Sequence, residues 1–268
     1  MKAYRVHAMV IRSKAFMEAD RLVTLFSKEK GKIQAVARGA RRPRNRFSGS
    51  TGVFTFGLFH LFGGKNLENL SSVEVLEPFG DLREDLDKIA YASYMAELVD
   101  KSLEDGQVQD EMFSLLLQAF YVLDAGVDLR RTARAFEIRM LLLQGLQPEL
   151  NSCVHCGQSL DRSINRVRIS TAQGGVVCPD CRGAENQCIV VSRGSVEMLK
   201  RLAHTELSRL SMLRCSNEME HDLERMLKAF LSYHIDSPLP SRAFLETVQL
   251  TTGTGKKEDD HGERSGKN

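Results

Sequence analysis

No stretch of this 268-residue chain approaches the roughly 20 consecutive apolar residues that a bilayer-spanning helix needs. The first residues, MKAYRVHAMVIRSK, carry an early lysine but no apolar core segment and no small-residue cleavage site. Secretion and membrane association are therefore not expected, and the expected location is the cytoplasm. Catalytic signatures are missing as well: there is no G-x-S-x-G elbow, no H-E-x-x-H pair and no dinucleotide fingerprint after a strand. Gly253-Thr254-Gly255-Lys256-Lys257 resembles the end of a phosphate loop. Leu250 stands where its first glycine belongs, however, and no Ser or Thr follows Lys256. The zinc-deaminase pattern fails too, because Val177 rather than proline precedes Cys178 and no H-x-E lies upstream. Asp81, Glu84, Asp85 and Asp87 could be imagined holding Mg²⁺ for a nuclease. They fall at an expected helix start, where acids are favoured electrostatically. The chain is expected not to be an enzyme.

Cysteine is scarce, six in all, but four of them form two Cys-x-x-Cys pairs, Cys153/Cys156 and Cys178/Cys181, with 21 residues between. Thiolates at this spacing can turn two tight knuckles toward one tetrahedral zinc ion. Gly157, Pro179 and the Gly174-Gly175 turn suit such knuckles. A reducing compartment favours metal over the two disulfides that the same count allows. Four protein ligands leave no open position for water, so the single Zn²⁺ is expected to be structural. Cys188 and Cys215 read as plain small apolar residues.

The net charge of +2 hides an asymmetry. Residues 1–80 carry 14 Lys/Arg against 6 Asp/Glu, and the remainder carries 23 against 29. A basic first third suggests a polyanionic partner, most simply nucleic acid. That same third alternates with period two at Val6, Ala8 and Val10, at Leu22, Thr24 and Phe26, and at Ile33, Ala35 and Ala37. Phe54, Phe56, Leu58, His60 and Phe62 form the clearest such run, and Gly63-Gly64 offers a tight hairpin turn before Leu70 to Val75. Five short strands suggest a small closed barrel of the OB type, with a small sandwich as the alternative.

From Asp81 the period lengthens to that of a helix. One helix is expected to end near Leu103, a second to bury Phe113 to Phe120, and a third to stop before Gly145 and Pro148. Further helices are expected over 193–210 and 217–234, the latter opened by a capping box of Asn217 and Glu220. The predicted organisation is multi-domain α+β. An OB-fold domain spans 1–80, and a helical domain spans 81–250 with an inserted four-cysteine zinc ribbon at 151–185. A disordered tail is expected over 251–268.

Arg38, Arg41, Arg42, Arg44 and Arg46 fall within nine acid-free residues, and Gly39, Pro43 and Asn45 among them indicate a loop between barrel strands. Guanidiniums there can fork onto phosphate oxygens whatever the base sequence. Lys28, Lys30 and Lys32 flank the loop, and Phe47 is either a stacking platform for a base or a core anchor. Five neutralised phosphates on single-stranded DNA predict a log–log salt slope of roughly −3.5. Arg130, Arg131, Arg134 and Arg139 give the third helix a basic side, which could be ordinary solvated charge, a groove for an acidic peptide or a second nucleic-acid path.

Several stretches together resemble the RecO family of bacterial recombination mediators. They are Ala19-Asp20-Arg21-Leu22-Val23-Thr24-Leu25-Phe26-Ser27 with Gly31, then Ala37-Arg38-Gly39-Ala40-Arg41-Arg42, then Phe136-Glu137-Ile138-Arg139-Met140-Leu141. Gly145-Leu146-Gln147-Pro148-Glu149-Leu150 follows and runs into the first cysteine pair, and Ser241-Arg242-Ala243-Phe244-Leu245 completes the set. The resemblance covers about residues 1–247 and implies an OB barrel followed by a helical domain. It also implies binding of single- and double-stranded DNA, strand annealing, and partnership with RecR and with the acidic C-terminal tail of single-stranded DNA-binding protein (SSB). RecA would be helped onto SSB-coated DNA indirectly. By the same resemblance the arginine loop would contact DNA, and Arg131, Arg134 and Arg139 would lie on the charged side of an SSB-tail pocket. A zinc-ribbon transcription or RNA-binding factor is the competing reading.

Overall fold

Alternation in the first 80 residues becomes five strands. In the computed structural model, which describes residues 3–47, 49–64, 67–161, 163–184 and 188–258, β1 spans Ala3–Phe16, β2 Asp20–Ser27, β3 Gly31–Ala37, β4 Phe56–Phe62 and β5 Glu68–Glu77. They close a barrel in the order β1-β2-β3-β5-β4. Every neighbouring pair is antiparallel except β3 with β5. This is the OB-like barrel expected. β1 is long because it serves two partners. Ala3–Met9 pair with β4, Ala8–Phe16 pair with β2, and a register slip between Val10 and Arg12 bends the strand between them. Val6, Ala8, Val23, Leu25, Ala35 and Phe59 help fill the interior, where small and large side chains alternate in a narrow lumen.

The alternation of β4 holds, but in the opposite phase. Phe56, Leu58, His60 and Phe62 keep part of their surface in solvent, whereas Gly57, Phe59 and Leu61 are buried. Period two fixes which residues share a face, and the aromatic-rich face is here the outer one. Gly57 is required: a Cβ there would lie 2.5 Å from the Glu74 carbonyl oxygen, beside a register slip. The link from Phe62 to Glu68 is longer than the tight turn expected at Gly63-Gly64, and residues 65 and 66 lie outside the described residues.

The first helical run splits in two, α1 (Gly80–Glu84) and α2 (Leu86–Ser102). Asp85 between them is extended, and its carboxylate caps α2 by accepting the Lys88 N–H at 3.0 Å. Then come α3 (Asp110–Asp124) and α4 (Leu129–Leu143), a sheet ordered β7-β6-β8 from β6 (Arg166–Ser170), β7 (Gly175–Val177) and β8 (Ile189–Ser192), and α5 (Arg193–His204), α6 (Asn217–His234) and α7 (Pro240–Glu258). The cap of α6 corrects the expected box: Ser216, not Asn217, accepts the Met219 N–H, and Glu220 pairs with Arg131. α7 runs on into the segment expected to be a tail, of which residues 259–268 lie outside the described residues. No described helix is long and apolar enough to cross a membrane.

The chain divides into two compact units. One takes in the barrel, α1, α2 and α7; the other comprises Asp110–Val122 and Gly126–Ser237, with α4 to α6 and the cysteine module. In the first, α7 packs on α2 through paired polar groups. Arg242 donates to the Tyr94 hydroxyl and Gln249 to the Tyr91 hydroxyl, each at 2.8 Å, while the Ser241 N–H donates to the Glu97 carboxylate at 2.8 Å. Both tyrosines are buried, and their hydroxyls would be costly without partners.

Candidate nucleic-acid interface and metal centre

The arginine loop follows β3 and begins and ends in apolar anchors. Ala40 and Phe47 are buried with the barrel core, and Arg38, Arg41, Arg42, Arg44 and Arg46 around and between them are exposed. Phe47, at 2 % exposure, offers no open face to a base, so its role is the anchor and not the stacking platform. Successive turns shape the segment, with the Arg42 N–H donating to Gly39 O at 2.9 Å and the Phe47 N–H to the Asn45 side chain at 2.8 Å. The β1–β2 hairpin tip pins it from the side. Asp20 accepts the Gly39 N–H at 2.7 Å, and the Arg41 guanidinium donates to Met17 O and Glu18 O. Arg41, though exposed, thus holds the loop, leaving Arg38, Arg42, Arg44 and Arg46 as the exposed cations not tied to the hairpin tip. Sequence reasoning gave Met17 and Asp20 no part in this, because nothing in Met17-Glu18-Ala19-Asp20 marks a tip that reaches a loop two strands away.

The three lysines do not join the cluster. Lys28 and Lys30 are exposed at the β2–β3 turn, with the Lys30 ammonium 3.8 Å from the Tyr4 ring centroid. That turn and the arginine loop lie at opposite ends of β3, a seven-residue strand about 20 Å long. Lys32 is committed internally, its ammonium donating to Asp100 O and Leu103 O at 2.7 Å each and lying near the Asp100 and Asp105 carboxylates. It neutralises the C-terminal turn of α2 and is not available to DNA.

In the second unit the four paired cysteines converge. The sulfurs of Cys153, Cys156, Cys178 and Cys181 all lie within 4.8 Å of one another, and Cys156 and Cys178 are 3.7 Å apart. A tetrahedron with metal–sulfur bonds of about 2.3 Å has edges of about 3.8 Å. The sheet builds the site: the Val154 N–H donates to Val176 O and the Val176 N–H to Glu149 O, docking the first knuckle along β7. The second knuckle opens a 3-10 turn, Pro179–Ala184. Burial would push the Cys153 thiol up, but N–H groups of Cys178, Cys156 and His155 bring it down to about 6. Cys181, hydrogen-bonded to the Cys178 sulfur and desolvated, rises to about 12. Sulfurs this close cannot all ionise without a cation among them, so the donor set fits a divalent metal ion. His155 is exposed and is not among the grouped ligands. Cys188 and Cys215 are half-buried, and burial together with Glu220 pushes the Cys215 thiol up to about 11, consistent with inert side chains.

Three of the four arginines of α4 are held within the second unit, and the fourth, Arg130, is exposed. Arg131 pairs with Asp128 and Glu220 at 3.1 Å and donates to Leu213 O at 2.8 Å. Arg134, itself buried, pairs with the fully buried Glu137 at 3.0 Å. Arg139 donates to Leu202 O and Thr205 O at the end of α5, and burial lowers its pKa. Arg131, Arg134 and Arg139 hold α4 to its neighbours; the resemblance had implied for them the charged side of an acidic-tail pocket.

An OB-like barrel with a basic loop at one end, followed by helices and a four-cysteine module, defines the class of this protein as an OB-fold protein with an attached helical, metal-competent unit. Residues 1–79 match the family described as Recombination protein O N terminal, and residues 83–243 match Recombination protein O C terminal. The DNA repair protein RecO of Symbiobacterium thermophilum is 39% identical over 250 residues, covering 93% of this chain and 99% of that protein. The proteins of the same name from Pelotomaculum thermopropionicum and Desulforamulus reducens are 36% and 34% identical, covering 95% and 92% of this chain and 98% and 96% of their own lengths. The chain belongs to the RecO family of DNA repair proteins.

Proposed function

We propose that this chain is a non-enzymatic mediator of DNA repair and homologous recombination. It binds single- and double-stranded DNA through the arginine loop, anneals complementary strands, and with RecR helps RecA onto DNA coated by SSB. The observation that carries this is the loop itself: four exposed guanidiniums on a segment anchored at Ala40 and Phe47 and tied by Arg41. Fixed cations lower the repulsion between two phosphate backbones and make no demand on base sequence. The SSB tail would raise the local concentration of the protein at the strand; Arg131, Arg134 and Arg139, the residues proposed for its contact, are also engaged within the chain. Cys153, Cys156, Cys178 and Cys181 would hold one structural Zn²⁺, which when bound cross-links the two knuckles.

The test is fluorescence anisotropy of a labelled single-stranded oligonucleotide across a salt series. Four phosphate contacts predict a log–log slope of about −2.8, shallower than five would give. Arg42→Glu with Arg44→Glu should abolish binding and the annealing of bare strands together. Absence of binding at low salt, or annealing that survives the double reversal, would sink the proposal.

A further inference from the structure

We propose that Met17 is a base-contacting side chain, an apolar wedge held beside the exposed arginines by the tip of the β1–β2 hairpin. The inference rests on the DNA-binding reading above and specifies which part of the strand the tip meets. Met17 is 75% exposed, and its backbone is left-handed at φ 50°. That conformation is unfavourable for a residue with a Cβ, and glycine or asparagine would occupy it more easily. Single exposed apolar side chains are ordinary on protein surfaces. This one is distinguished by what holds it. The Arg41 guanidinium donates to the carbonyls of Met17 at 3.4 Å and Glu18 at 3.1 Å, and the Arg41 N–H donates to Ala19 O at 2.9 Å. Asp20 closes the turn and accepts from Gly39. Hairpin tip and arginine loop are one assembly, and a strained residue maintained within it points to function.

The chemistry of the tip selects bases over backbone. A thioether is uncharged, unbranched and polarizable; it gains nothing from a phosphate and gains much against an aromatic face or between base steps. Glu18 beside it is exposed too, and a carboxylate repels phosphate while accepting from the exocyclic amines of bases. Bases of a single strand are open to such insertion, whereas those of a duplex must first be unstacked. Met17 therefore favours unpaired DNA on an arginine surface that engages the phosphates of both forms.

Met17→Asn and Met17→Gly remove the thioether while tolerating the left-handed backbone. Their affinities for a single strand and for its duplex are to be measured by anisotropy across a salt series. A single strand carrying 2-aminopurine at several positions reports unstacking in parallel. Each variant should bind the single strand about tenfold more weakly, with duplex affinity and salt slope unchanged. Each should also lose the 2-aminopurine fluorescence rise that the wild-type chain produces. Unchanged single-strand affinity in the variants overturns the proposal. So does a parallel loss on both DNA forms or an altered salt slope, because a distorted arginine loop would give those. If the wild-type chain binds neither form, the mediator reading itself fails and this inference falls with it.

Discussion

At the scale of single residues, charge type was legible and charge use was not. Lys32, Arg131, Arg134 and Arg139 look in sequence like the exposed arginines of the loop, yet their partners lie far along the chain. Arg139 reaches carbonyls 63 and 66 residues away, and Lys32 reaches carbonyls 68 and 71 residues away. No local pattern announces such pairings. Lys32→Ala should lower stability by about 2 kcal/mol, since two charge-assisted bonds to carbonyls are lost. The salt slope of DNA binding should stay as it is, so urea midpoint and anisotropy together separate this lysine from Arg42. Asp222 makes a pH prediction. Burial would raise its carboxyl, but the Ser192 N–H, the Ser195 hydroxyl and Arg225 hold it below the usual carboxylate value. The unfolded state therefore binds the proton more readily, and the stabilisation is complete above the ordinary pKa of about 4. It fades as pH falls through the lower, folded value. Asp222→Asn should cost stability at pH 7 and flatten the acid limb of a urea-midpoint profile. An acid limb as steep as the wild type would exclude the assignment.

At the scale of elements, the barrel was legible because its strands alternate, and strand β4 shows the limit of that signal. Phe56, Leu58, His60 and Phe62 share one face at period two, but a narrow lumen took Gly57, Phe59 and Leu61 and left that face partly in solvent. The arginine loop was found from composition; its anchoring at Ala40 and Phe47 and its tie through Arg41 depend on tertiary packing that composition does not carry. The cysteine module was the most legible element, since Cys-x-x-Cys spacing dictates knuckle geometry wherever it occurs. Its small sheet is built from strands of only five, three and four residues, and a bound metal should supply much of its order. A strong chelator should release about one equivalent of zinc, as expected for a single four-thiolate site. Amide protection should then fall across β6, β7 and the two knuckles while barrel amides keep theirs in hydrogen exchange. Unchanged protection in the module would mean that it stands without metal.

At the scale of the whole molecule, the basic first third and acidic remainder reflect a division of labour. The exposed cations of the loop belong to the barrel unit, whereas many charges of the second unit are spent on each other, as Arg131, Glu220 and Asp128 show. What no sequence pattern indicated was the return of α7 to α2. Tyr91 and Tyr94 wait on partners from residues 249 and 242, contributed about 150 positions later. Read in the order of translation, the unit begun first is completed last. The ribosome must deliver the entire second unit before Arg242 and Gln249 emerge, so the N-terminal barrel spends most of synthesis beside a helix that α7 has not yet covered.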